Sequence, residues 1–567
     1  MNFHSIYHKP SSNYCFAINK QTLVLRLRVS NKDIFSSIKV IYEGKYVFYS
    51  KQKEAIMNKK YEDQLFSYYE IKMCLEDVRF AYVFLLSIDD KNYYYSEDGI
   101  TETYDFKNAH YNCFQYAYIN DIDIHKEISW LKNSVFYEIF VDRFNQGDFT
   151  KKSDYINTKW GDKILSNSFA GGDLQGIIDK LDYLSNLGIN TLYLTPIFSS
   201  VSNHKYDINN YYKIDSEFGD EKVFKELVNK AHAKNMYIVI DGVFNHTSDL
   251  LEEFIDVTQK GRDSKYFDWF IIKGEYVDKK KVNYETFSNC YYHPKFNTSN
   301  LEVEKFLINI GKYYVSEYDI DGWRLDVSDE ASHVFWRNFR REIKSIKSEC
   351  FLVGENWHDA NPYLGGDQFD SIMNYSFTKV LIDYFAYEKY DAYDASCRLN
   401  NLLVRNTIQV NNMMLNLIDS HDTDRFYTLV KKDKDKLLSS LALTFMYKGV
   451  PCLYYGIEIP LEGGYDPDNR KCFPWDKLDE NSPYFQKLIE IIKLKKINEL
   501  EDSDIFIYSI DNLLYVERYT EKIKYKLLIN QSKKSSLFKD RGLNIISHKT
   551  NNFQIEANGF IIIKEEL

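Results

Sequence analysis

From about residue 126 the chain alternates short apolar segments with helical ones, and this alternation limits the fold more than any other feature. Helical stretches such as FKELVNKAHAKN and SHVFWRNFRREIKSI separate the apolar segments. The pattern is typical of βα units around a parallel sheet. Eight repeats predict the α/β class and a (β/α)8 barrel. We place the eight strands at residues 135–141, 190–195, 236–241, 319–326, 350–355, 371–375, 413–419 and 450–456.

Two regions outside the predicted barrel (126–501) have the texture of β-domains. The first 125 residues contain TLVLRLRV, KVIYEG, YVFYS and FAYVFLLSI, separated by short polar breaks, and predict a β-sandwich. IFIYSI, LLYVERY and KYKLLIN predict a C-terminal β-sandwich domain over residues 502–567. About 75 residues separate the third barrel strand from the fourth, which is too long for a simple connection. We therefore predict an inserted subdomain at about 247–300.

Composition and charge exclude several functional classes. With 44% apolar and 27% charged residues, the chain is neither disordered nor fibrous. A formal charge of −11 and a pI near 5.7 argue against nucleic acid, because phosphate binding needs a basic face. The N-terminus shows no secretory signal, no segment approaches about 18 consecutive apolar residues, and the cysteines form no CxxC pair. We expect a cytoplasmic protein with free thiols and no membrane partner.

Polar side chains follow four of the predicted strands where each strand ends. Active sites of (β/α)8 barrels form at the carboxyl ends of the strands. An isolated acidic residue there usually caps the next helix, but several carboxylates, two histidines and an arginine at one rim indicate a function. The third, fourth, fifth and seventh strands end in DGVFNH (241–246), RLD (324–326), GENW (354–357) and DSHD (419–422).

These side chains suit the cleavage of an acetal. Retaining glycoside hydrolysis uses two carboxyl groups about 5–5.5 Å apart, one as nucleophile and one as proton donor. Arg324 shares a strand face with Asp326, so we expect its guanidinium to keep that carboxylate ionised. Glu355 has no cation beside it in the sequence, and an aromatic wall from Trp357 would raise its pKa. The side chains expected to bond the sugar hydroxyls are Asp422, His246 and His421.

Four segments resemble, in order and spacing, the hallmark segments of the α-amylase family of glycoside hydrolases. They are DGVFNH (241–246), GWRLDVSDE (322–330), VGENWHDA (353–360) and LIDSHDTDR (417–425). HPKFN (293–297) resembles the MPKLN segment of the neopullulanase, cyclomaltodextrinase and maltogenic amylase group, whose starch-binding-like N-terminal β-domain is similar to the opening of this chain. The resemblance implies retaining cleavage of α-1,4-glucosidic bonds, with α-1,6 bonds as a further option, in cyclodextrins, maltooligosaccharides, pullulan or starch.

The resemblance also implies roles for individual residues. Asp326 falls on the nucleophile, Glu355 on the acid/base and Asp422 on the transition-state stabiliser. The implied substrate-binding residues are Tyr206, Asp241, Asn245, His246, Phe287, Arg324, Trp357, His421, Asp466 and Arg470. Core packing remains the alternative for Phe287 and Trp357, and a loop salt bridge for the last two residues.

Departures from the family pattern leave two alternatives open. Some members bind calcium through an RFxNGD loop and a GGD turn, whereas this loop reads RFNQGDFTKKSD, with lysines nearby. The chain then either requires no cofactor or binds calcium at Asp148, Gly171 and Asp173. Glu330 is a position associated with transfer to sugar acceptors, so a transglycosylase on the same scaffold is the alternative function. The group further implies an α-glucan oligosaccharide as partner and a homodimer formed through the N-terminal domain.

Overall fold

Eight parallel strands form a barrel at the centre of the chain, in a computed structural model that describes residues 1–151 and 153–567. Numbered along the chain, the barrel strands neighbour one another in the order 6-5-4-3-2-1-8-7. A parallel bridge between Met373 and Leu415 joins the sixth strand to the seventh and closes the sheet. The predicted (β/α)8 barrel is therefore confirmed. Its strands are Phe136–Ile139, Thr191–Leu194, Tyr237–Gly242, Gly322–Leu325, Phe351–Gly354, Ser371–Ile372, Leu415–Leu417 and Val450–Tyr454.

The helix Glu221–Ala233 outside the barrel buries one apolar stripe and begins at a polar cap. In Glu221–Ala233, Phe224, Leu227 and Val228 recur at helical spacing and are buried. The carboxylate of Asp220 accepts hydrogen bonds from two of the first backbone N–H groups of this helix. Among the described residues the α-helices are Val141–Phe144, Leu174–Asp179, Leu181–Leu187, Glu221–Ala233, Glu252–Lys260, Leu301–Tyr318, His333–Ile346, Tyr375–Leu381, Ala392–Arg405, Ile408–Met413, Phe426–Leu429, Lys434–Met446, Pro483–Ile492 and Asn498–Glu501.

The N-terminal region is a sandwich of a four-stranded and a six-stranded sheet. Along Thr22–Ser30 alternate residues enter its core, and Arg26 on the opposite face donates to Glu70 and to the Val404 carbonyl beside the barrel. The strand predicted at YVFYS was wrong, because residues 45–50 form turns in which two backbone N–H groups bond to the Gly44 carbonyl. The strands are Cys15–Ala17, Thr22–Ser30, Ser37–Gly44, Lys53–Ile56, Asn58–Glu62, Phe66–Cys74, Phe80–Ile88, Lys91–Ser96, Gly99–Thr101 and Phe114–Tyr116.

The C-terminal β-domain forms one connected antiparallel sheet that packs beside the barrel helices. The insertion after the third barrel strand contains the helix Glu252–Lys260 and returns to the rim where His246 bridges Lys295. Within the described ranges, no helix combines the length and apolar character needed to cross a membrane. The remaining strands are Phe198–Ser200, Ile208–Ile214, Asp504–Ile510, Leu513–Tyr519, Ile523–Asn530, Ser536–Leu537, Leu543–Asn551 and Gln554–Glu566.

Candidate active site

One buried guanidinium contacts four carboxylates at the carboxyl rim of the barrel. Arg324 Nη1 donates to Asp326 Oδ1 at 2.7 Å and to both Asp241 oxygens at 3.0 Å. Arg324 Nη2 lies 2.9 Å from Glu355 Oε2 and 3.8 Å from Asp422 Oδ2. Because Asp326 and Glu355 contact the two ends of one planar fork, these two oxygens lie within about 8 Å of each other. This spacing is compatible with the carboxyl pair of a retaining glycosidase.

The register of neighbouring strands explains why these side chains meet. Asp241 pairs with Arg324 across the third and fourth strands, and Leu325 pairs with Gly354 across the fourth and fifth. The Glu355 N–H continues the ladder by donating to the Leu325 carbonyl at 2.8 Å. Side chains that are far apart in the sequence therefore lie at the same height along the barrel axis, at the carboxyl ends of their strands.

The surroundings of Glu355 differ from the predicted apolar wall. Its Oε1 accepts from Trp357 Nε1 at 3.1 Å, and its Oε2 accepts from the Val327 N–H at 3.0 Å and contacts Arg324. No cation adjoins Glu355 in the sequence, but Arg324 reaches it from the adjacent strand, so its surroundings are polar and charged. Trp357 stacks on Tyr375 with centroids 3.8 Å apart, so that its indole N–H meets the carboxyl group.

Burial dominates the protonation of Asp326. It raises the pKa of this carboxyl well above the ordinary value, Arg324 opposes the shift, and Glu355 and Asp241 add to it. The prediction that the guanidinium keeps this pKa low was wrong for the free enzyme. One positive charge is shared by four carboxylates, and burial also raises the pKa of Asp241, so these two carboxyl groups hold their protons more strongly than separate ones do.

Asp422 belongs to a second network, in the loop that follows the seventh strand. Burial acts to raise its pKa, but the charges of His421, Arg324 and Arg470 outweigh burial and lower it. His421 Nε2 lies 3.2 Å from Asp422, and its Nδ1 is hydrogen-bonded to Glu138 on the first barrel strand. Burial would lower the pKa of His421, yet these two carboxylates raise it. Sequence analysis missed Glu138, although an acidic residue inside the apolar segment VFYEIFV was an available signal.

Tyr206 presents an aromatic ring beside this network. Its ring stacks against His421, with centroids 5.6 Å apart and planes 10° apart, and its hydroxyl donates to Asp241 Oδ2 at 2.8 Å. The Tyr193 hydroxyl donates to the same oxygen. A ring fixed in this way supplies the flat face against which a sugar can stack.

A cleft of about 820 Å³ collects most of the predicted site residues. Phe287 and Trp357 line it, and Phe287 stacks on His246 at 4.6 Å. Asp466 and Arg470 form a 2.9 Å ion pair, and both residues line the cleft. The loop salt bridge and the position in the site were predicted as alternatives, and the structure shows both. The other predicted residues in the lining are Tyr206, His246, Asp326, Glu355 and Asp422.

Four predicted residues are buried and support this lining from behind: Asp241, Asn245, Arg324 and His421. Sequence analysis missed His204, His293, Asp424 and Tyr465 in the lining.

The predicted calcium ligands do not fit a metal ion. Asp173 accepts four hydrogen bonds, from the backbone N–H groups of Gly147, Asp148 and Gly176 and from the ammonium of Lys151. Asp148 turns its Oδ1 toward the backbone and hydroxyl of Thr150. A carboxylate has about four lone-pair sites, so Asp173 has none left for a metal ion.

Comparison with known proteins agrees with this geometry. The family model described as "Alpha amylase, catalytic domain" matches residues 138–498, and "Alpha amylase, N-terminal ig-like domain" matches residues 1–120. The chain belongs to the α-amylase family. It is therefore a glycoside hydrolase of this family.

Relatives of this family member match along most of its length. A cyclomaltodextrinase of Thermoanaerobacter pseudethanolicus is 39% identical over 540 residues, which cover 94% of this chain and 93% of the relative. An intracellular maltogenic amylase of Bacillus subtilis is 38% identical over 504 residues, covering 88% of this chain and 84% of the relative. A solved structure of a cyclomaltodextrinase superimposes with a TM-score of 0.91 at 32% identity, covering 100% of this chain and 98% of the other.

Proposed function

We propose that this enzyme cleaves α-1,4-glucosidic bonds with retention of configuration, by double displacement. The observation that carries the proposal is the contact of Arg324 with both Asp326 and Glu355 in the cleft. In the first step an Asp326 oxygen attacks the anomeric carbon while Glu355 gives its proton to the departing glycosidic oxygen. In the second step Glu355 takes a proton from water, and the resulting hydroxide displaces Asp326 from the sugar.

The charge distribution supports this division of roles. Double displacement requires an ionised nucleophile and a protonated acid/base when substrate is bound, so we assign the negative charge to Asp326 and the proton to Glu355 at that stage. Asp326 then keeps its 2.7 Å contact with Arg324 Nη1. Asp422, whose pKa is lowered, stays ionised and accepts hydrogen bonds from sugar hydroxyls that strengthen as positive charge develops on the ring.

We further propose that cyclodextrins and short maltooligosaccharides are the preferred substrates, in a cytoplasmic homodimer. The names of the relatives support both the substrate class and the cellular location. The N-terminal domain exposes Tyr46 and Tyr49 on the 45–50 turns, where an interface between two copies would bury them. Transfer to sugar acceptors is a second activity that we infer from the resemblance of Glu330 to the family position associated with it, and Glu330 lines the cleft.

Parallel assays on β-cyclodextrin, pullulan and starch, with product sizes resolved, test the proposed function. We expect kcat/KM on β-cyclodextrin to exceed that on starch by at least about tenfold. The protein assayed should have a molar mass near twice 67.4 kDa by light scattering. New transfer products in excess of free reducing ends would favour the transglycosylase. Release of no sugar from any of the three substrates would contradict the proposal.

A further inference from the structure

An ammonium group lies at the loop where some members of the family bind calcium. Lys151 Nζ lies 2.7 Å from Asp173 Oδ2 and 2.9 Å from the carbonyl oxygens of Gly171 and Glu217. The three N–H donors of a lysine are thereby matched by three oxygens. The lysine side chain is only 9% exposed and the aspartate 1%, so the ion pair is largely screened from water.

The backbone of the same loop completes the set of donors to Asp173. A Cβ atom at Gly147 would lie 2.4 Å from the Gly176 nitrogen, and one at Gly176 would lie 2.0 Å from the Asn145 carbonyl oxygen. Glycine at both positions therefore allows the loop to pack directly on the first turn of Leu174–Asp179. This approach brings the Gly147 N–H to 3.0 Å from Asp173 Oδ1.

We propose that Lys151 is a built-in cation that replaces calcium in this enzyme and closes the loop without a metal. Calcium takes six to eight oxygen ligands, whereas the oxygens here already accept hydrogen bonds from the lysine and the backbone. A divalent ion at this position would also meet the positive charge of the ammonium at contact distance, where repulsion is strong. This inference is independent of the substrate proposed above.

The lysine also connects the loop to the wall of the active site. Glu217, whose carbonyl accepts from Lys151, uses its carboxylate to pair with the buried Lys205. Lys205 immediately precedes Tyr206. Closure of the loop therefore supports the segment that carries the tyrosine stacked on His421.

Thermal unfolding of the full-length protein tests the inference. We expect the Tm of the wild type to change by less than about 1 °C between excess EDTA and millimolar calcium chloride. Lys151→Met should lower the Tm by at least about 3 °C, because it leaves Asp173 buried without its cation. Lys159→Met is the matched control, since Lys159 is exposed and has no side-chain partner among the described residues. A calcium-dependent wild-type Tm, or equal Tm values for the two variants, would overturn the proposal.

Discussion

Replacing Asp326 by Asn is expected to lower kcat/KM on maltotriose by at least about 10⁴-fold. The amide has nearly the shape of the carboxylate but cannot form the glycosyl–enzyme bond. Arg324 keeps its contacts with Asp241 and Glu355 in the variant, so the buried guanidinium is not left unpaired. Reducing-end release measures turnover. Calorimetry of maltotriose binding should give a dissociation constant within about threefold of the wild type, because the sugar contacts remain.

Asp329→Asn provides the matched control for this experiment. The side chain lies three residues further along the chain, is exposed, and makes none of the contacts of the Arg324 cluster. The same chemical change there should leave kcat/KM within about threefold of the wild type. Unchanged turnover in Asp326→Asn would remove this residue from the nucleophile position. An equal loss in both variants would attribute the effect to charge in the cleft instead of to a covalent step.

The barrel strands were predictable because each one carries its signal locally. A segment such as MYIVID is apolar on both faces and ends in a carboxylate, and the strand Tyr237–Gly242 forms there. The rim residues were predictable for the same reason, since parallel strands bring their carboxyl ends to one edge. The strand predicted at YVFYS was wrong because its aromatic and β-branched residues favour strands, whereas the backbone of residues 45–50 forms turns that bond to the Gly44 carbonyl.

The electrostatics of the site depend on contacts between distant residues and could not be predicted. Sequence places Arg324 beside Asp326 alone, but the barrel brings Glu355, Asp241 and Asp422 to the same guanidinium. The single cation is then outweighed by burial and by like charges, which reverses the expected pKa shift of Asp326. Pairing of Glu138 with His421 likewise joins the first strand to the seventh.

Glu355→Gln is expected to separate substrates according to how much their leaving group needs a proton. On maltotriose, whose leaving group is a sugar hydroxyl, kcat/KM should fall by about 10³-fold, which lies within the range of general-acid catalysis. On a nitrophenyl maltoside the phenolate departs without protonation, and the loss should stay within about tenfold. Steady-state kinetics of both substrates on the same preparation gives the two ratios.

A hydrogen-bond effect must be distinguished from loss of the proton. Gln at this position still accepts from the Val327 N–H through one oxygen, which stays beside Arg324, but its amide group cannot accept from Trp357 Nε1. Trp357→Phe removes that single hydrogen bond while retaining a ring to stack on Tyr375, and it should reduce activity on both substrates by a similar factor. If Glu355→Gln also reduces activity on both substrates equally, its effect is that of a lost contact. The proton donor must then be another carboxyl group that lines the cleft.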